Sequence, residues 1–230
     1  MAISTKRGDK LLGKIEEEVS NEVVGIFRSW RQKSKNGLLP VGIAGVGKTT
    51  FLTKFDADAP SLFLDFNRTV KTKVDSMRLR QEFLDRCKGV EYYKKIDVPG
   101  DQPLQWATAY FDNSPRVLVV LTDERGADIH IKQLRTFLAH LRQGPTFWQL
   151  AKATVGLRRN NLARILFVVN KVDRFAAGEI GKTRAAYQAL LADLQSLLGA
   201  PIQIFQLTLT SETEHAPEVF HAVLDGLARK

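Results

Sequence analysis

Gly42-Ile43-Ala44-Gly45-Val46-Gly47-Lys48-Thr49 fits the pattern G-x-x-x-x-G-K-[ST] without a mismatch. It lies between the apolar run Leu38, Leu39, Val41, Ile43, which reads as a buried parallel strand, and Thr50-Phe51-Leu52-Thr53-Lys54-Phe55, which reads as a helix. A strand, a glycine-rich turn and a helix in that order build a phosphate cradle. Glycines let the backbone wrap closely, and the N–H groups at the start of the helix converge on anionic oxygens. The candidate phosphate-binding residues are Gly42, Gly45, Val46, Gly47, Lys48, Thr49 and Thr50. Lys48 supplies a point charge and is the first candidate for stabilising a reacting phosphate, and the Thr49 hydroxyl is placed to reach Mg²⁺. The pattern implies a nucleotide without saying which.

The base is addressed by Asn170-Lys171-Val172-Asp173, directly after the strand-like run Ile165-Leu166-Phe167-Val168-Val169. This is N-K-x-D at a strand end. A carboxylate at Asp173 can accept from both N1–H and N2–H₂ of guanine, an edge on which adenine offers no donor pair. Taken alone the string is an ordinary polar turn, and an ATPase with a fortuitous match is the reading to exclude. The third piece is Asp97-Val98-Pro99-Gly100 after the run Val90 to Ile96. In D-x-x-G the carboxylate can hold a water on Mg²⁺, and the Gly100 N–H can approach a terminal phosphate. The three strings each fall at the C-terminal end of an expected strand, the edge at which open α/β sheets bind their ligands.

In these motifs and their order the chain resembles the P-loop GTPases, in particular the small Ras-like and translation-factor-like members. The resemblance covers about residues 38–227. It implies an α/β three-layer domain whose six-stranded sheet is mostly parallel, with an antiparallel second strand. It implies GTP/GDP and Mg²⁺ as ligands, and a molecular switch that hydrolyses GTP and signals through a protein effector or regulator. A switch threonine should join Mg²⁺ together with Thr49 and Asp97. Thr69 is the choice and Thr72 the rival, with the run Val70 to Val74 as the second strand beside the run through Tyr92 and Lys94. A last family loop should follow Ile202 to Leu207 and bring the backbone of Thr210 to the guanine O6.

Two departures bear on hydrolysis. The family often has a water-orienting glutamine directly after D-x-x-G, whereas here Asp101 stands there and Gln102 follows. Both are candidate catalytic residues, but a carboxylate beside a terminal phosphate is repelled. Hydrolysis without a partner is therefore expected to be slow. Ala44 stands where glycine is frequent, and its methyl group narrows the approach of an arginine from another protein. The competing function is a GTP-sensing interaction module whose hydrolysis is vestigial.

With 230 residues, 44% of them apolar, the chain is expected to form one domain with additions. Residues 1–36 read as an N-terminal helical extension, 37–230 as the GTPase domain, and about 144–163 as an insertion. In the extension, Leu12, Ile15, Val19, Val23, Phe27 and Trp30 mark an amphipathic helix. Packing on the domain's own flank comes first, and partner docking or dimerisation second. The single cysteine, Cys87, excludes an internal disulfide. No apolar run of membrane-spanning length and no lipidation motif occurs, so a cytoplasmic protein is expected. The net charge of +9 would attract nucleic acid or acidic lipid, but the basic residues are scattered and no nucleic-acid module is present, so neither is favoured.

Overall fold

The computed structural model describes residues 37–59, 69–87, 92–125, 127–145, 162–207 and 217–228. The N-terminal extension, most of the expected insertion and Thr210 lie outside these residues. In chain order the elements are β1 (Gly37–Val41), α1 (Lys48–Thr53), β2 (Lys73–Arg78), a four-residue α2 (Gln81–Leu84), β3 (Tyr92–Asp97), α3 (Pro103–Asn113), β4 (Val117–Thr122), α4 (Ala127–Gln143), β5 (Arg164–Asn170), α5 (Glu179–Leu198), β6 (Ile202–Leu207) and α6 (Pro217–Ala228).

The six strands form one sheet in the order β2-β3-β1-β4-β5-β6, parallel except that β2 runs antiparallel to β3. That is the expected architecture, with the second strand shifted. It begins at Lys73 instead of Val70 and pairs Ser76 with Lys94 and Lys73 with Asp97. The first helix likewise starts at Lys48, inside the motif, because Gly47 in the left-handed conformation (φ 100°) serves as its N-cap. The ladder from β1 to β3 ends at Leu38, two residues before Pro40, which has no N–H to give.

Adjacent residues of a strand point to opposite faces, and the core divides accordingly. Leu38, Val119 and Val168 join α1 and α6 on one face, where Phe51, Phe55, Phe83 and Phe220 form a cluster with ring centroids 5.1 to 6.3 Å apart. Leu39, Val120 and Phe167 join α3, α4 and α5 on the other, around Trp106, Phe137 and Tyr187. Both faces are covered, so β4 and β5 carry near-continuous apolar runs, with every residue of Val117–Thr122 buried. The chain steps from β1 to β3 on one side and to β4 on the other. This reversal of winding opens a crevice beyond the C-terminal end of β1, where the phosphate loop emerges.

Candidate functional site

The loop from Gly42 to Gly47 is held by residues that tolerate no larger replacement. A Cβ on Gly42 would collide with the Leu121 carbonyl, and one on Gly100 would collide with the Ala44 backbone. The D-x-x-G glycine therefore lies directly against the phosphate loop. Lys48 points back along that loop, its Nζ donating to the Gly42 carbonyl at 2.9 Å and the Ile43 carbonyl at 3.1 Å. Burial lowers its pKa to about 8, despite the opposing attraction of Asp97 and Asp101.

At the end of β3, Asp97 is buried and gathers two hydroxyls on one oxygen. Thr49 Oγ1 donates to its Oδ2 at 2.9 Å and Thr69 Oγ1 donates to the same atom at 3.0 Å, the two hydroxyls standing 3.4 Å apart. Among the described residues, Asp97 Oδ1 has no hydrogen-bond partner although it is buried. Hard oxygen donors of this kind, with one acceptor unused, fit a small divalent cation such as Mg²⁺. Thr72 stands elsewhere, donating to Gln105 Oε1 at 3.2 Å.

The base motif reaches the same loop from β5. Asn170 Nδ2 donates to the Val46 carbonyl at 2.8 Å, and Lys171 Nζ donates to the Gly45 carbonyl at 2.8 Å. Lys171 adopts the left-handed conformation (φ 55°), which turns the chain sharply into the short helix Val172–Arg174. Asp173, in that turn, is exposed. Asn170 and Lys171 thus grip two carbonyls of the loop and take none of its N–H groups, of which that of Val46 meets the Ile43 carbonyl at 3.4 Å.

Asp101 is exposed at the start of the next loop. Gln102 forms the N-cap position of α3, and its Oε1 accepts a hydrogen bond from Gln105 Nε2. Pro103 follows at the first helical position, where its missing N–H costs nothing.

With this geometry in place, solved structures provide a comparison. The chain is similar to the Arl6 (BBS3) small GTPase from Trypanosoma brucei bound to the nucleotide analogue GppNp, with a TM-score of 0.51 and 20% identity over 84% of this chain and 98% of that one. It is similar to a bacterial selenocysteine-specific elongation factor, EF-Sec, with a TM-score of 0.52 and 14% identity over 84% of this chain. The fold is that of the P-loop GTPases. The chain spans 28% of the elongation factor's length. At these identities the likeness is one of fold. No protein-family model matches the chain, and no curated protein sequence does.

The P-loop GTPase fold brings to one sheet edge residues that no motif string announces. Asp123, just past β4, is buried and accepts from Lys171 Nζ at 2.7 Å, from Arg125 Nε at 3.0 Å and from Arg125 Nη2 at 2.6 Å, all on Oδ2. Burial would raise its pKa, but the hydrogen bonds from Arg125 and Lys171 outweigh burial and hold it below the usual carboxylate range. The signal was present in the run Val117 to Thr122, an apolar strand whose first polar successor is Asp123.

Behind the D-x-x-G loop, Trp106 Nε1 donates to the Pro99 carbonyl at 2.5 Å. His130 Nδ1 and the Tyr187 hydroxyl share a hydrogen bond of 2.7 Å, and that hydroxyl shares another with Thr122 at 2.8 Å. Burial, with a smaller contribution from the Lys48 charge, lowers the His130 pKa to about 3, so the imidazole is neutral. Among the described residues no cluster of three His, Cys, Asp or Glu is found, and no helix is long and apolar enough to cross a membrane.

Proposed function

We propose that this chain binds guanine nucleotide with Mg²⁺ and hydrolyses GTP to GDP slowly, acting as a switch read by a protein partner. The observation that carries the reading is the meeting of three separated strings on one loop. Asn170 and Lys171 are bonded to the carbonyls of Val46 and Gly45, and Gly100 lies against Ala44. A fortuitous N-K-x-D would have no reason to hold the phosphate loop. In this reading Asp173 accepts from the guanine N1–H and N2–H₂, Lys48 turns from its own loop carbonyls to phosphate oxygens, and the loop N–H groups stabilise charge that develops during in-line attack by water. Thr49, Thr69 and Asp97 would hold Mg²⁺, directly or through water. When bound there, the ion would supply electrostatic stabilisation of negative charge on the phosphates. Residues 37–230 would constitute the nucleotide domain, with residues 1–36 as a helical extension packed on its flank or used for docking or self-association.

The engagement of Gln102 by Gln105 favours a second reading, a GTP-responsive module in which hydrolysis is vestigial. One experiment separates all the readings. Purified protein is titrated with labelled GDP against unlabelled GTP and ATP, and then assayed for phosphate release. GTP competing strongly while ATP does not, with release on the order of 10⁻³ s⁻¹ or below, supports the slow switch. Equal competition by ATP overturns the guanine assignment, and GTP binding with no release at all selects the sensing module.

A further inference from the structure

Arg125 belongs to none of the motifs, yet its guanidinium lies on the phosphate loop. Its Nη2 donates to the Ala44 carbonyl at 3.1 Å, and its Nη1 is 2.9 Å from the point that a Cβ on Gly45 would occupy. Gly45 (φ 76°) therefore leaves room for the cation as well as for the turn. The head group is fixed from behind. Asp123 takes Nε and Nη2 on one carboxylate oxygen and the Arg125 backbone N–H on the other, at 3.2 Å. Among the described residues, Nη1 donates no hydrogen bond, which leaves two of the guanidinium's five N–H donors unused at the lip of the cradle.

The charge at this lip does not cancel. Lys171 and Arg125 both pair with Asp123, so two cations face one carboxylate and one positive charge is left over. That charge is felt inside the cradle, where Arg125 is among the groups that lower the Lys48 pKa, after burial. Arg125 is also accessible, its side chain being 44% exposed. A guanidinium already clamped by a carboxylate has little rotational freedom left to lose when it takes up an anion.

We infer that Arg125 is a second phosphate-binding cation of this site. Its Nη1 donates to an oxygen of the phosphate chain of a guanine nucleotide, at the Ala44 and Gly45 lip, while Asp123 holds it in place. The inference rests on the guanine-nucleotide reading above. Arg125 and Lys171 take the adjacent carbonyls of Ala44 and Gly45 and share Asp123, which ties the contact to the base-motif end of the cradle and to an oxygen that GDP and GTP share.

The test is stopped-flow dissociation of fluorescently labelled GDP and GTP analogues from the full chain, unmodified and as Arg125→Gln and Arg125→Lys. Loss of one charge-assisted hydrogen bond predicts dissociation about tenfold faster for both nucleotides in Arg125→Gln, with association changed less than threefold. Arg125→Lys, which keeps the charge and loses the fork, should fall between. A residue that merely braced the fold would lower the melting temperature of the nucleotide-free protein and leave the salt dependence of binding alone. Because Arg125 also satisfies the buried Asp123, Arg125→Gln is expected to lower the melting temperature as well, and the readout that separates the two roles is a shallower dependence of affinity on salt in that variant. Unchanged dissociation from both variants while the unmodified chain binds labelled GDP would overturn the contact, as would a loss confined to GTP. Failure of the unmodified chain to bind labelled GDP would overturn the nucleotide reading itself, and this assignment with it.

Discussion

The two sides of the phosphate loop are built differently. On the base side, Asn170, Lys171, Asp123 and Arg125 are bonded to one another or to the loop carbonyls of Ala44, Gly45 and Val46. On the opposite side, among the described residues, Asp97 keeps a buried oxygen without a partner, and Lys48 is bonded only to carbonyls of its own loop. The first arrangement is already clamped by hydrogen bonds, and a ligand adds to it, at the unused Nη1 of Arg125, without rearranging it. The second has unused acceptor capacity and a lysine that must turn to meet phosphate. Affinity for the base should therefore reside in a preformed half, and response to the terminal phosphate in a half that reorganises.

The largest test of the preformed half is Asp173→Asn. The substitution turns the acceptor proposed to face guanine into a donor, and a site built to hydrogen-bond a polar edge discriminates by about 10⁴-fold when the match is lost. Isothermal titration should show GTP affinity falling by about that factor, with xanthosine triphosphate improving because its extra carbonyl accepts from the new amide. Retained GTP affinity would mean that the exposed Asp173 turn does not meet the base, however well Asn170 and Lys171 hold the loop.

The two sides also differ in how far they could be read from the sequence. Phosphate-loop, D-x-x-G and N-K-x-D residues are legible because their backbone geometry is local. Gly47 must adopt a left-handed turn, Gly100 must meet Ala44 without a Cβ, and neighbouring residues carry the rest. The six-stranded, mostly parallel sheet with its antiparallel second strand was implied by the family resemblance that these strings carry. Asp123 has only the weak signal of a carboxylate that follows an apolar strand, and Arg125 has none. Arg125 lies 81 residues from the Ala44 carbonyl it contacts, and no fixed spacing connects them. The start of the second strand was misplaced by three residues because Val70 and Val74 have strand character but are exposed. The local composition is that of a strand, and pairing with β3 alone decides where the strand begins.

A second test sharpens the comparison through pH. Lys48, lowered to about 8 by burial, is surrounded by phosphate oxygens in the bound state of the proposed site, and these favour its charged form. Its pKa in the complex is therefore higher than in the free protein, and binding takes up a proton once the pH exceeds about 8. Affinity should be flat below that value and fall as pH rises above it, approaching tenfold per unit. The nucleotide-free fold should show the opposite trend. The unfolded chain holds this proton up to its ordinary value, so stability contributed by Lys48 rises across the same window. Titrations between pH 7 and 9 check the first expectation. In Lys48→Ala the affinity should drop about a hundredfold, from loss of a charged hydrogen-bond donor, and the pH slope should vanish. A slope that persists in Lys48→Ala would assign the titration to another group.

The smallest expected effects concern hydrolysis, on the side of the loop that reorganises. Gln102 stands at the N-cap position of α3 and accepts from Gln105, which in turn accepts from Thr72, so its carboxamide is engaged along the helix start. Gln102→Ala should leave the single-turnover rate within about threefold of the unmodified protein. Asp101 is exposed, and its charge reaches Lys48, which it helps to keep protonated. The same charge opposes build-up of negative charge on a terminal phosphate, so Asp101→Asn should speed single-turnover hydrolysis a fewfold from a basal rate on the order of 10⁻³ s⁻¹ or below. A tenfold slowing in Asp101→Asn would instead make that carboxylate the group that orients water. A tenfold slowing in Gln102→Ala would mean that the glutamine leaves Gln105 when GTP binds, which places the start of α3 among the parts that move. Rates near 1 s⁻¹ for the protein alone would be incompatible with both, because a site whose first residue after D-x-x-G repels phosphate would need a cation already in place.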